Sequence, residues 1–364
     1  MTTLAPSRWH STHIAYHDVP GQDDLLLDAV GPLLRLLGGG VEGVHVLRHW
    51  RRGPHVRLNV AADPVTWADV ARPAIEEIIG SYLRDSPSTA VLDQPALLAQ
   101  HRVLAEQERD DGPLTPWYPD NSLHHAAYDS RHAVLGDEAA GLLADFYTDS
   151  TPLLLDMLRH LRSGHDTKDG LALTLMLATS HTVMGPITRS FVSFRSHAEG
   201  FLAHCTDPDA MRAAFDRDYQ ARRDEITGKV RAVIATLDGA TGTPVPFACE
   251  WAALMAAYAG RAESLIARDG LIDQGSRQEA LALPKLSAFH RLMYSSQTYY
   301  DRVFADPAFL RYRVLLNYTY LQSTRLGITP PARFRLCHLA ASAVEEIYGV
   351  SAFELIRAFV EAHP

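Results

Sequence analysis

The stretch VHVLRHWRRGPHVRLNV, Val44 to Val60, decides the fold. It reads as two strands joined by a tight turn at Arg51-Arg52-Gly53-Pro54. Side chains alternate between the two faces of a strand. His55, Arg57 and Asn59 therefore share one face, and Val56, Leu58 and Val60 share the other. Arg48 and Trp50 share a face of the preceding strand. Six basic or titratable residues stand between Arg48 and Arg57. The alternation fits two readings: the solvated face of an antiparallel hairpin, or a surface that holds something anionic.

Working outward, SRWHSTHIAYHDV (7–19) is a strand candidate, and DDLLLDAVGPLLRLL (23–37) is a helix that stops at Gly38-Gly39-Gly40. After the hairpin, Asp63 is placed to cap a second helix with Pro64 in its first turn. This β-α-β-β-α order is that of a ferredoxin-like unit. From Gln94 onward nearly everything has helical period, with Leu143, Phe146, Tyr147, Leu153, Leu154 and Leu158 forming one apolar stripe. Helices are expected at 208–238, 246–270, 284–303, 306–326, 331–348 and 351–361. The expected fold class is α+β. A small ferredoxin-like platform spans 1–92, and a large helical body spans 93–364, the two packed as one compact unit.

Composition narrows the function. The net charge of −9 argues against bulk nucleic-acid binding, so an anionic partner must meet a local basic patch. Three scattered cysteines make no disulfide framework and no CxxC pair. The opening MTTLAPSRWH lacks an apolar signal core, and no apolar run of about 18 residues is present, so a cytoplasmic protein away from membranes is expected. No glycine-rich phosphate loop, GxSxG elbow or HExxH helix occurs. His124, His125 and His132 near Asp129, and His204 beside Cys205, have no recognised ligand spacing. Neither a metal nor an organic cofactor is expected.

Two polar clusters interrupt the helical body. In TRSFVSFRSHAEGFLAHC (188–205), Arg195 and Glu199 are four apart and are expected to pair, with Ser193 and His197 on an adjacent line. Ser196, His197 and Glu199 put a hydroxyl, an imidazole and a carboxylate within one turn. That set suits proton movement near neutral pH, and it equally suits the polar face of a helix. In the second cluster Arg313, Asn317 and Tyr320 form one stripe of an otherwise apolar helix ended by Gly327. Such a stripe braces a neighbouring helix or lines a cavity.

The hairpin LRHWRRGPHVRLNV resembles the signature, ending in PHLRLR, that opens the small elimination domain of class I lantibiotic dehydratases. That domain also occurs free-standing in thiopeptide biosynthesis. In chain order, DFYTDS (145–150) resembles the family's LFxxDS helix end and TRLGI (324–328) its NRLxGI. The resemblance spans most of the chain and implies the elimination-domain fold. Elimination of glutamate, as the resemblance has it, needs an arginine in one motif and a histidine in another. In the first region this chain has Asp120 near the family's glutamate and Leu123 in place of its arginine. Asn317 and Tyr320 fall where the second motif has serine and histidine. Losing the cation that holds a departing carboxylate removes the electrostatic basis of that reaction.

The resemblance then points to the thiopeptide pyridine synthases, which join two dehydroalanines of a modified precursor peptide by a formal [4+2] aza-cycloaddition. Loss of water and leader peptide gives the pyridine. On that reading His197, supported by Ser196 and Glu199, is the expected acid/base. Tyr320 is expected to donate to the reacting carbonyl, oriented by Asn317. Arg48, His55 and Arg57, with Arg195 and Arg313, are expected to hold the peptide. The expected partners are a leader-bearing precursor and the other enzymes of its pathway, and apolar helix faces leave room for a homodimer. Two further readings stand beside this one: a glutamate-eliminating partner of a split dehydratase, and a non-catalytic subunit that binds precursor.

Overall fold

Two residues of the hairpin turn take positive φ, Arg52 at 64° and Gly53 at 95°, and the Gly53 N–H donates to the Trp50 carbonyl at 3.1 Å. A Cβ at Gly53 would stand 3.1 Å from the Trp117 ring, so space as well as backbone angle calls for glycine. The turn joins β2 (Gly43–His49) to β3 (His55–Ala62). The computed structural model describes residues 8–108, 110–240, 242–267, 277–282 and 285–363. The first seven residues of the stretch read for a signal core lie outside these. So do 268–270 and 284, at the ends of two expected helices.

β3 pairs with β1 (Arg8–Ala15), and β1 pairs on its other side with β4 (Ser122–Ala127). The order is β2-β3-β1-β4, antiparallel throughout. With helical runs at 22–37 and 64–85 in the crossovers, this is the ferredoxin-like arrangement the hairpin predicts. Asp63 caps the second run as expected, its Oδ1 accepting from the Val65 and Thr66 N–H groups at 2.9 and 3.1 Å.

The fourth strand is an element that the mainly helical reading of the chain after Gln94 does not include. SLHHAA is short, and its two histidines point to opposite faces, so it carries no apolar alternation. His124 sits opposite His13, while His125 Nδ1 meets the Thr12 hydroxyl at 2.9 Å.

The chain divides into two compact units. One holds Met1–His165 with Arg325–Gly327, and the other holds Asp166–Thr324 with Ile328–Pro364. The sheet unit thus runs past residue 92, because β4 and the Asp137–Arg162 helix belong to it.

Within the sheet unit the Val56, Leu58 and Val60 face is buried, as are Leu25, Leu26, Leu33, Ile75 and Ile79. The opposite face is neither a solvated surface nor a basic patch. His55, Arg57 and Asn59 are all at most 5% exposed. His55 stacks on His13, with ring centroids 4.7 Å apart, and meets Tyr118 edge-on. The Tyr118 hydroxyl and His13 Nδ1 are 3.2 Å apart. Arg57 reaches Asp129 at 3.4 Å. Period-two alternation reports that a face is polar, not what covers it, and here residues between β3 and the 137–162 helix supply the cover.

Burial, reinforced by Arg57, pushes the His13 pKa down to about 3, and burial with Arg325 does the same for His45. Both are neutral in the fold. The unfolded chain takes up these protons near pH 6.5, so stability is full above that value and declines as pH falls toward 3. Each histidine removes about 1.4 kcal/mol per pH unit below 6.5. At pH 5 the two together remove about 4 kcal/mol. Urea midpoints at pH 7 and pH 5 should therefore differ by roughly 1 M or more for a slope of about 1–3 kcal/mol/M, and superimposable curves would contradict neutral burial of the pair.

The second unit is helical. Lys168–Met184 is buried on every side from Gly170 to Ser180, as a helix apolar all round requires. Around it stand Val192–His204, Arg223–Leu237, Ala248–Ile266 and Pro330–Tyr348, together with Pro307–Arg325 up to Thr324. The expected 208–238 helix breaks at Arg222, whose guanidinium pairs with Asp169 at 3.1 Å and Glu225 at 2.8 Å. The expected 284–303 helix breaks at extended Ser296, whose hydroxyl caps the next turn at Tyr299 N. No single described helix is long and apolar enough to cross a membrane.

Candidate active site

Four helices of the second unit bring one cluster together. The 192–204 helix supplies Ser196 and His197, and the 307–325 helix supplies Tyr320. His290 comes from Ala288–Ser295, and Arg333 and Cys337 come from the 330–348 helix. His197 Nδ1 lies 2.6 Å from the Tyr320 hydroxyl, which is also 3.4 Å from Cys337 Sγ. The Arg333 guanidinium lies over the Tyr320 ring, 4.7 Å from its centroid.

Tyr320 is 4% exposed and Cys337 fully buried. Burial pushes the Tyr320 phenol well above its usual range and the Cys337 thiol up to about 11, so both stay protonated. Burial also pushes His197 down to about 3, helped by the charges of Arg333, His290 and Arg313. At neutral pH the centre is a neutral imidazole on a neutral phenol. Tyr320 occupies Nδ1, and no described residue hydrogen-bonds Nε2. The free edge of the ring is a proton acceptor or donor for a ligand, according to tautomer.

The structure thus joins two residues that lie 123 positions apart in the chain. It does not join the rest of the expected set. Ser196 bonds His290 Nε2 at 3.0 Å, and Ser287 holds His290 Nδ1 at 2.7 Å, so Ser196 orients His290 rather than His197. Glu199 does not pair with Arg195. It is 3% exposed and grips Arg212 through both oxygens, at 2.5 and 2.7 Å. Arg195 turns instead to Glu345 at 2.5 Å, with His338 and Ser342 at 3.2 Å. Neighbouring helices offer both residues better-aligned partners than the i, i+4 contact does.

Tyr320 is committed to His197 and Cys337 and does not face outward to a carbonyl. Asn317 is exposed and makes no hydrogen bond to it. Arg313 is exposed, and its charge is felt at His197.

The hairpin residues belong to the first unit. Arg48 pairs across the ladder with Val56, on the face opposite Arg57. It is tied to Asp23, to Gln22 Oε1 and to the Arg325 carbonyl. His55 and Arg57 are buried, as described. Asp120 accepts from the His17 N–H at 2.8 Å, and Leu123 sits in the β4 ladder opposite Ile14.

Sequence reasoning missed Arg333, Cys337 and His290. Arg333 and Cys337 are i, i+4 just after the Pro330-Pro331 restart, a spacing that puts both on one helix face. His290 carries no comparable signal. Among the described residues no group of three or more His, Cys, Asp or Glu is placed to hold a metal ion.

Comparison with known proteins follows the same lines. The family model described as lantibiotic biosynthesis dehydratase C-term matches residues 9–344. The chain is similar to the pyridine synthase TbtD from thiomuracin biosynthesis, with 34% identity and a TM-score of 0.77, covering 94% of this chain and 100% of that one. It shares its fold with TsrL, at 22% identity and a TM-score of 0.69 over 97% and 98% of the chains. The tRNA-dependent lantibiotic dehydratase MibB from Microbispora sp. 107891 matches at 15% identity and a TM-score of 0.50, over 96% of this chain and 29% of MibB. No curated protein sequence matches.

Proposed function

Because the chain belongs to the lantibiotic biosynthesis dehydratase C-terminal family, we propose that it is a thiopeptide pyridine synthase rather than a glutamate-eliminating member. The observation that carries this reading is the likeness to TbtD over the whole of that chain at 34% identity. Leu123 in the β4 ladder, where elimination needs a cation, supports it. The substrate is a modified, leader-bearing peptide with two dehydroalanines. One amide is drawn into its imidic-acid form, giving a 2-azadiene that the second alkene closes on. Loss of water and of the leader follows.

Holding two alkenes distant in sequence at bonding range supplies about 7–11 kcal/mol of the barrier reduction. His197 moves the proton that tautomerisation requires. Tyr320 is a positioning residue: its hydroxyl fixes the imidazole through Nδ1 and so aims Nε2.

The test is mass spectrometry of an azole-bearing, dehydroalanine-containing precursor after incubation with the purified protein alone. The expected result is an intact leader fragment and a core lighter by that fragment and water. An unchanged precursor, with loss of glutamate from a glutamylated one, would overturn the reading in favour of elimination.

A further inference from the structure

Arg333 differs from most arginines around it, though exposed Arg313 likewise holds no carboxylate among the described residues. On its own helix Arg335 pairs with Asp169 and Asp218. Arg195, Arg212, Arg222 and Arg223 of the same unit each hold a carboxylate. Arg333 has none among the described residues, and its Nε–H is buried without a hydrogen-bond partner. An unmet buried donor on a cation is costly, and it is kept where a ligand completes it. The guanidinium carbon lies 4.7 Å from the Tyr320 ring centroid and 4.8 Å from that of Phe334. Contacts of this kind engage the π-face of the guanidinium and leave its N–H groups for an acceptor. The charge of Arg333 is felt at His197, whose Nε2 no described residue hydrogen-bonds.

We infer that Arg333 is a catalytic residue that holds the oxygen of the reacting amide as it becomes an imidate, opposite His197. This rests on the pyridine synthase reading above. The step balances without an external reagent. With the imidazole proton on Nδ1 and donated to the Tyr320 oxygen, the Tyr320 O–H points to Cys337 Sγ, 3.4 Å away. Nε2 then takes the amide N–H proton, and the electron pair of that bond shifts toward the carbonyl oxygen. Arg333 donates hydrogen bonds to this oxygen while it is anionic. Nε2 returns the proton to it, giving the imidic acid and a neutral imidazole. The cation that disfavours imidazolium in the empty site stabilises the imidate that accompanies imidazolium in the filled one, so charge separation is met by a donor already in place.

The experiment is single-turnover cyclisation of the precursor by wild type, R333A and R333K, with peptide affinity by fluorescence anisotropy and thermal melts alongside. R333A should lower the rate by ~10²–10³-fold, the worth of one oxyanion donor, with affinity changed only a few-fold. Added methylguanidinium should restore part of that rate. R333K keeps the charge without the planar fork, should lose at least about tenfold, and is the variant to read if R333A does not fold. Wild-type rates in either folded variant would overturn the assignment and leave the pyridine synthase reading standing. A loss in folded R333A that methylguanidinium leaves untouched would overturn it in favour of a bracing role at Tyr320. Failure of the wild type itself to cyclise the precursor overturns both.

Discussion

Replacing His197 with alanine should slow cyclisation by ~10²–10⁴-fold, the range over which a positioned acid or base contributes, while precursor affinity stays within a few-fold. Single-turnover rates with saturating enzyme separate the two effects. The same centre makes a pH prediction. His197 is pushed down to about 3, so the working imidazole stays neutral through the mildly acidic range, and the rate should not fall near pH 6.5 as long as the fold is intact. An ordinary histidine base would lose tenfold per unit below 6.5. A wild-type acid limb centred at 6.5, on protein shown to be folded, would contradict the neutral dyad. Replacing Tyr320 with phenylalanine removes the hydroxyl at 2.6 Å that fixes Nδ1. Its effect should be largely absorbed in the H197A/Y320F double variant, because the two act as one unit. Additive losses would assign Tyr320 a role of its own.

The dyad was legible in the sequence only as two separate clusters. A hydroxyl, an imidazole and a carboxylate within one helical turn, and a tyrosine on a polar stripe, pointed to His197 and Tyr320. Nothing local says that these helices face each other. Spacing misled for Arg195 and Glu199, because an i, i+4 pair gains only tenths of a kcal/mol, less than the bidentate Arg212 gives Glu199 or than Glu345, His338 and Ser342 together give Arg195. Arg333 escaped notice because what singles it out is the lack of a partner, which no sequence displays.

The fold was read from the same kind of signal, with the same limits. Alternation through Val44–Val60 gave the hairpin and its apolar face correctly. It also implied that the polar face met solvent or an anion, whereas that face holds neutral histidines under Tyr118. β4 had too few residues and no apolar period to be seen. At the break Arg222 pairs with Asp169, 53 residues away, a contact that a helical period running through 208–238 does not display.

The family-like motifs DFYTDS and TRLGI prove to be one structural device, and Arg325 is its centre. It is 2% exposed. Its Nε donates to the Val46 carbonyl at 2.9 Å, on the side of β2 that no strand covers. Nη1 donates to Ser150 Oγ at 2.7 Å, and Nη2 to Thr151 Oγ1 and the Tyr147 carbonyl. Ser150 and Thr151 donate their own protons back to Phe146 and Tyr147 carbonyls, which leaves their lone pairs for the guanidinium. The Arg325 carbonyl accepts from Arg48 Nε at 2.8 Å, and Arg48 is tied to Asp23. One side chain therefore joins a sheet edge, the 137–162 helix and residues from near the end of the chain. Burial lowers its pKa to about 9, which keeps it charged at neutral pH. Hydrogen bonds from a charged donor contribute about 1.5–3 kcal/mol each, and their acceptors would be left buried and unmet. R325A should thus lose about 3–5 kcal/mol, near the upper end for any single substitution. For 364 residues, at about 2.1 cal/mol/K of unfolding entropy per residue, that lowers the melting temperature by roughly 4–7 °C. R325K, with a charge but no fork, should fall between. An R325A protein that melts within a degree of wild type would show that the motif pair serves something other than the fold.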